Sequence, residues 1–257
     1  MNYSNIISEF TWSYSRLTAF EHCPYGFFLS YIKPHSQAPQ FFASYGSFLH
    51  RIMELYLRGE LKKEELPGFY LARFRSEVEG RAPDQKVFRS YFEQGLDYLI
   101  HMDFPYQIPC AAERRVDFYV GGNSFTGIVD CVVQDGGDII ILDHKSRVLK
   151  PRSGRKKPTR SDRELDDYLR QLYLYSIPVR DIFHQYPKRL EFNCFRSRQI
   201  ISEPFSESAL ERTGLWAEQT IARITANEDW SPKMDPWKCR YLCTHYHQCE
   251  YYLMNRR

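Results

Sequence analysis

Two short runs, Thr126-Gly127-Ile128-Val129-Asp130 and Ile139-Ile140-Ile141-Leu142-Asp143-His144-Lys145, limit most strongly what this chain can fold into. Each is rich in β-branched residues and closes on a charged residue, as strands do when an apolar body is buried and its end reaches a site. Asp135-Gly136-Gly137 between them is a tight-turn signal, so a hairpin of Ser124–Gln134 with Asp138–Asp143 is expected. Cross-strand pairing then brings the carboxylates of Asp130 and Asp143 together, and such a pair repels itself unless a cation lies between. Hard oxygen donors of this kind select Mg²⁺ or Mn²⁺. Lys145, two positions after Asp143, shares its face of the strand. There an ammonium can orient a water nucleophile or neutralise charge on a phosphorane-like transition state. The backbone carbonyl of His144 is a further candidate metal ligand. Taken alone, an Asp-x-Lys strand end reads equally as an exposed salt-bridging edge, so other elements must decide.

The rest of the pattern surrounds this hairpin with helices. Ser13 or Ser15 is expected to cap a first helix, and Pro24 to open a second turn or helix towards Ile32. An amphipathic helix is expected over Ala43–Arg58, closed by Gly59, with more helix over Leu66–Gly80 and Asp84–Met102. A strand over Ala112–Val120 precedes the hairpin. A helix over Glu164–Ile177, strands over Lys188–Arg196 and Gln199–Pro204 and a helix over Ser206–Asn227 follow it. That order predicts an α/β fold, a mixed sheet of about five strands flanked by helices.

Net charge is only +3 over 257 residues, but it is unevenly spread. Between Arg147 and Arg163 eight basic residues (Arg147, Lys150, Arg152, Arg155, Lys156, Lys157, Arg160, Arg163) face a single acid, Asp162. A basic loop on a mildly acidic body is the footprint of a polyanion partner, although a disordered, solvated loop has the same composition. No run is long and apolar enough for a membrane span, and residues 1–10 lack the marks of a signal peptide, so a cytoplasmic protein is expected. Seven cysteines there call for an explanation other than disulfides. No nucleotide-binding Gly-x-x-x-x-Gly-Lys motif is present, so any unwinding of a duplex would need a partner.

Two more pairs bear on the hairpin. Gln171 and Tyr175 stand four apart on the helix after the basic loop, and so do Gly46 and His50 on the Ala43–Arg58 helix. Each pair shares one helix face, and an imidazole can join a metal site. The series Gly-x-x-x-His, Gly-x-x-Asp, Asp-x-Lys and Gln-x-x-x-Tyr, in that order, resembles the RecB-like branch of the PD-(D/E)XK nucleases, over Tyr14 to Cys249. The resemblance implies a restriction-endonuclease-like core in which His50, Asp130 and Asp143 bind Mg²⁺ or Mn²⁺ and Lys145 is the catalytic lysine. Gln171 and Tyr175 would complete the site, with Glu113 as an accessory candidate. It further implies a DNA nuclease, an exonuclease in preference to an endonuclease, acting on single strands or DNA ends. A helicase, phage, repair or CRISPR-adaptation protein would be the kind of partner to expect.

Cys239-x3-Cys243-x5-Cys249 and the isolated Cys23 offer four thiolates, which can hold a [4Fe–4S] cluster or a zinc ion. Nucleases of the AddB type and the CRISPR-adaptation type look similar, with one cysteine before the core and three after it. That likeness implies an iron–sulfur subdomain joining the Cys23 region to residues 230–257 of a single nuclease domain, 1–257. The first gap here is three residues where two is usual. Zinc on Cys239, Cys243, Cys249 and His245 or His247 is the alternative. Cys110, Cys131 and Cys194 read as buried apolar residues. Two rival readings of the whole chain stay open: an inactive nuclease fold that only binds DNA or protein, and a zinc-stapled structural protein.

Overall fold

The computed structural model describes residues 3–106 and 111–255. Its centre is a five-stranded mixed sheet in the order β1-β2-β3-β4-β5. The strands are β1 (Ala111–Val120), β2 (Asn123–Asp135), β3 (Asp138–Lys145), β4 (Arg189–Cys194) and β5 (Gln199–Pro204). β1, β2 and β3 form an antiparallel meander, β4 runs parallel to β3, and β5 returns antiparallel to β4. The α/β fold and strand count expected from the sequence are therefore observed. Cys110 lies outside the described residues.

A parallel neighbour needs a crossover, and α7 (Arg160–Phe183) supplies it between β3 and β4. Thr159 caps α7 and forms a reciprocal box with Asp162. The helix therefore begins four residues before the expected Glu164, and it runs past Ile177 through Pro178 to Phe183. Proline removes one helical N–H. Here the turns on either side are fixed by Leu172, Leu174 and Val179, which are buried in the main core against β3 and β4, so the helix continues. Ser13 and Ser206 likewise cap α2 (Tyr14–His22) and α8 (Glu207–Thr225) through their hydroxyls. Ahead of these lies α1 (Ser4–Ile7), and Trp12 then bridges to Phe125 of β2, fixing the N-terminal segment to the sheet.

Helices α2, α7 and α8 share the main apolar core with one face of the sheet, and α3 (Pro24–Phe27), continued by a π-helical turn over Phe28–Ile32, packs into the same core. A second core is helical and strongly aromatic. It joins α4 (Phe41–Leu57), α5 (Leu66–Glu77) and α6 (Gln85–Ile100) through Phe41, Tyr45, Phe48, Tyr70 and Phe74. Both cores are needed for the site, because α4 is delivered by the second and β2, β3 and α7 by the first. Among the described residues no helix is long and apolar enough to cross a membrane. The cysteine-bearing tail carries two short helices, α9 (Pro236–Tyr241) and α10 (Glu250–Met254).

Candidate active site

The last hydrogen-bonded rung of the hairpin pairs Cys131 with Leu142, which sets Asp130 and Asp143 side by side at the next step. Asp130 Oδ2 accepts a hydrogen bond from the His144 backbone N–H at 2.8 Å, which locks the carboxylate across the strand boundary. Both aspartates are buried, at 8% and 3% exposure. Burial, with the negative charge of Asp143 adding to it, pushes the Asp130 carboxyl well above the usual carboxylate range. This is the electrostatic signature of a site built for a cation, because a buried carboxylate pair is costly without one.

Helix α4 approaches the end of β3 closely. A Cβ on Gly46 would sit 2.9 Å from Ser146 Oγ, so glycine permits the contact. One turn on, His50 Nδ1 lies 3.3 Å from Asp130 Oδ2, and burial holds the imidazole below its ordinary pKa and hence neutral. Glu113 completes the group. The ligand atoms of His50, Glu113 and Asp130 all lie within 4.8 Å of one another, the one such set of three among the described His, Cys, Asp and Glu residues.

Glu113 is the residue that strand periodicity could not place. Its φ is +48°, left-handed for a residue with a side chain, near the start of β1 and between the pairs Ala112–Cys131 and Arg114–Val129 that flank Asp130. Val129 and Val132, three apart, nonetheless join the same core, an irregularity that falls beside Glu113. Strain of this sort persists only where its surroundings impose it. Burial and the charge of Glu54 push the Glu113 carboxyl up to about 7, against the opposing pull of Arg58.

Lys145 reaches the same place from β3. Its ammonium lies 2.7 Å from Asp143 Oδ2 and donates to Gln171 Oε1 at 3.0 Å. Asp143 Oδ2 has no hydrogen-bond partner beyond that ion contact. On α7, Gln171 Nε2 faces Tyr175 Oη at 3.4 Å, and the Tyr175 ring fills the space left by Gly127. A Cβ at Gly127 would come within 2.4 Å of that ring, which explains a glycine three residues before Asp130. Burial pushes the Tyr175 phenol up to about 12, so it stays a hydrogen-bond donor at neutral pH. Tyr14, on α2, is also close enough for Asp143 to raise its pKa further after burial, and the sequence reading had given it no role.

His144 is split by strand alternation. Its backbone faces the site, while its ring turns to the opposite side, accepts Asn193 at 3.1 Å and stacks on Phe195. The cleft in front of these groups has a volume of about 410 Å³ and is lined by Phe42, Gly46, His50, Arg51, Glu113 and Ser146, among others.

The four cysteines also converge. Cys243 feels the charges of Cys23, Cys239 and Cys249, and burial raises its thiol to about 11. Among the described residues, however, no three of these thiols come within 4.8 Å of one another. Cys23 Sγ accepts the Gly26 N–H at 3.4 Å. His245 accepts the Cys249 N–H at 2.9 Å through its backbone carbonyl, while its ring Nε2 lies against Ser30 Oγ at 2.8 Å. Cys131 and Cys194 are fully buried, as expected of apolar packing residues.

The basic loop before α7 is anchored rather than free. Asp162 accepts hydrogen bonds from the backbone N–H and the hydroxyl of both Ser153 and Thr159, which hold its carboxyl below the usual range. Arg152 is pinned to Asp166 and Glu203, and Leu149 is buried. Lys150, Arg155, Lys156, Lys157 and Arg160 remain exposed.

Compared with known proteins, residues 11–250 match the model of the PD-(D/E)XK nuclease superfamily. The chain belongs to that superfamily. No curated protein matches it. The crystal structure of a candidate exonuclease from Eubacterium rectale is similar at a TM-score of 0.50, with 12% identity, covering 99% of this chain and 91% of that one. At that identity the likeness is one of fold. SSO0001 matches at 20% identity over 80% of this chain and 95% of that one, with a TM-score of 0.30. In this PD-(D/E)XK protein, Asp130 lies beside His50 and Glu113, which line the cleft, and Asp143, Lys145, Gln171 and Tyr175 are linked in a chain of contacts next to it.

Proposed function

We propose that this PD-(D/E)XK protein hydrolyses phosphodiester bonds in DNA with one or two divalent cations, Mg²⁺ or Mn²⁺. The observation that carries the reading is the His50–Glu113–Asp130 group, set beside the Lys145–Asp143 ion pair. The donors are carboxylate oxygens and a neutral imidazole, with Asp143 and the His144 carbonyl adjacent, and such a set fits a hard divalent ion. A cation bound there supplies Lewis-acid activation of water and charge neutralisation at the phosphate. The chain's own groups do the positioning. Asp143 and Gln171 hold the Lys145 ammonium by two contacts, so it is already aimed when a phosphate oxygen arrives. Gln171 in turn meets the protonated Tyr175, and burial of both aspartates keeps bulk water from screening these charges. The exposed cations of the anchored loop grip the sugar–phosphate backbone outside the cleft. End-directed cleavage of single strands is the preferred mode.

We read the four thiols as ligands of a [4Fe–4S] cluster in preference to zinc, because Cys23, brought near Cys239, Cys243 and Cys249, has no place in a zinc site completed by a histidine. We place the Cys23 region and residues 230–257 together as a subdomain of one nuclease unit.

The test is cleavage of end-labelled single- and double-stranded DNA with Mn²⁺, where product lengths report mode and polarity. The wild type should degrade the single strand and Lys145→Ala should not. Equal cleavage by the two proteins, or cleavage by neither, would overturn the assignment and leave a DNA-binding module.

Protons on Glu113 and Asp130 must leave before a cation enters. Without metal, a carboxyl raised to about 7 contributes stability below its unfolded pKa and loses it as pH rises through about 7. A cation removes that penalty. Mn²⁺ should therefore raise the melting temperature little at acid pH and increasingly through neutrality, with Glu54, Arg58, Asp143 and Lys145 setting the midpoint. A Mn²⁺-induced shift that does not change with pH would contradict this donor set.

A further inference from the structure

The aromatic groups outside the cleft form a row that the hydrolytic chemistry does not use. Phe42, on the cleft wall, packs on Trp237 at a ring separation of 5.9 Å and an interplanar angle of 36°. Trp237 continues to Tyr241 at 5.7 Å. Trp237 is 51% exposed, although an indole of this size is normally covered. Its neighbours are cationic. Lys238 is exposed beside it, Lys238 and Arg147 both act on His22, and Arg147 also acts on Tyr91, which packs against Phe42 at 5.1 Å. Arg147, at the start of the basic loop, and Lys238 of α9, ion-paired with Asp235, thus both lie within electrostatic range of His22 on this side of the molecule.

We propose that Trp237 and Phe42 form a stacking step for a nucleobase of single-stranded DNA, adjoining the phosphate held in the cleft. The claim rests on the reading of that cleft as a nuclease site and names the side chains that would set its preference for single strands. Aromatic faces flanked by cations hold single strands because every unpaired base offers a π-face, while a base inside a duplex has both faces covered. The step therefore favours single strands and frayed ends over intact duplex. Trp237 stands two residues before Cys239 on a six-residue helix, so the four-thiol site also sets where the indole sits. Trp237 is in this sense a substrate-positioning residue rather than a catalytic one.

The test uses the full-length protein in EDTA, titrated with a fluorescein-labelled oligo-dT, and hydrolysis of methyl p-nitrophenyl phosphate, a diester without a nucleobase, with Mn²⁺ as a separate measurement. Trp237→Ala should weaken oligo-dT binding about tenfold or more, and Trp237→Phe should keep most of the affinity. Neither variant should change hydrolysis of the small diester. Unlabelled oligo-dT should quench tryptophan emission in the wild type and distinctly less in Trp237→Phe, a reading that stands even if Trp237→Ala does not fold. Wild-type affinity in Trp237→Ala, or equal quenching in Trp237→Phe, overturns the stacking step. If no protein turns over the small diester while the binding differences hold, the nuclease reading fails and the step remains as a DNA-binding element.

Discussion

Asp130→Asn is expected to lower phosphodiester cleavage by about a thousandfold or more while the metal-free protein melts higher than the wild type. The opposite signs follow from the same residue. The substitution is isosteric, and the amide oxygen can still accept the His144 N–H that Asp130 Oδ2 accepts at 2.8 Å. The backbone register at the end of the hairpin is therefore kept. What disappears is a carboxyl whose ionisation in this buried place is opposed by Asp143 and Glu113, so the unliganded fold gains wherever that carboxyl would carry charge. The amide oxygen that accepts the His144 N–H also occupies the position nearest His50 Nδ1, but the second oxygen becomes an amide nitrogen and the negative charge is lost, and with them the stabilisation by Mn²⁺. Three measurements check it: cleavage of labelled single-stranded DNA, melting in EDTA, and melting with Mn²⁺. Retained cleavage would remove Asp130 from the site. A lower melting temperature in EDTA would mean that the carboxylate serves the fold and not a cation.

On the proposed four-thiol cluster, Cys243→Ser is expected to cost roughly ten degrees of melting temperature and to abolish iron binding. A group that ties Cys23 to the tail closes a loop of roughly two hundred residues, worth about 5 kcal/mol in the chain-entropy account. Other contacts hold the tail more weakly. Tyr25 Oη donates to Glu250 at 3.0 Å, Lys233 Nζ to the Glu21 carbonyl at 2.7 Å, and the Ala38 N–H to the Thr244 carbonyl at 2.9 Å. Apart from the Ala38 bond these lie at the surface, where each is worth little. The variant should thus lose the tail first, and a protease should nick it between α8 and α9 before the sheet opens. An unchanged melting temperature together with unchanged iron content would rule out the staple.

The hairpin, its two aspartates and Lys145 were readable because a strand has a period of two and a tight turn has few spellings. Gln171 with Tyr175 and Gly46 with His50 were readable because residues four apart share a helix face. The structure adds the reasons for the glycines, since Gly127 admits the Tyr175 ring and Gly46 admits Ser146. The resemblance offered Glu113 as an accessory candidate, but strand periodicity could not give its place in the cation group. Its carboxylate reaches the group from a left-handed backbone at φ +48°, and alternation along β1 gives no sign of that turn. Both ends of α7 were also hidden. A capping box of Thr159 and Asp162 sits inside a run that composition marks as a basic loop, and Pro178 reads as a stop where packing on the sheet overrides it. Tyr14 comes within electrostatic range of Asp143, a placement set by how α2 packs and not by any local pattern.

The anchoring of residues 147–163 on Asp162 has a bearing on how this protein would meet a polyanion. A segment that is floppy in solution spends part of its binding free energy on becoming ordered. One already shaped by Ser153, Thr159 and Arg152 spends little, so attraction between its cations and a charged strand is converted almost wholly into displaced counterions. Association should then be fast, should fade steeply as salt is added, and should tolerate exchange of any single exposed lysine, because the scaffold that presents these charges is built from other residues.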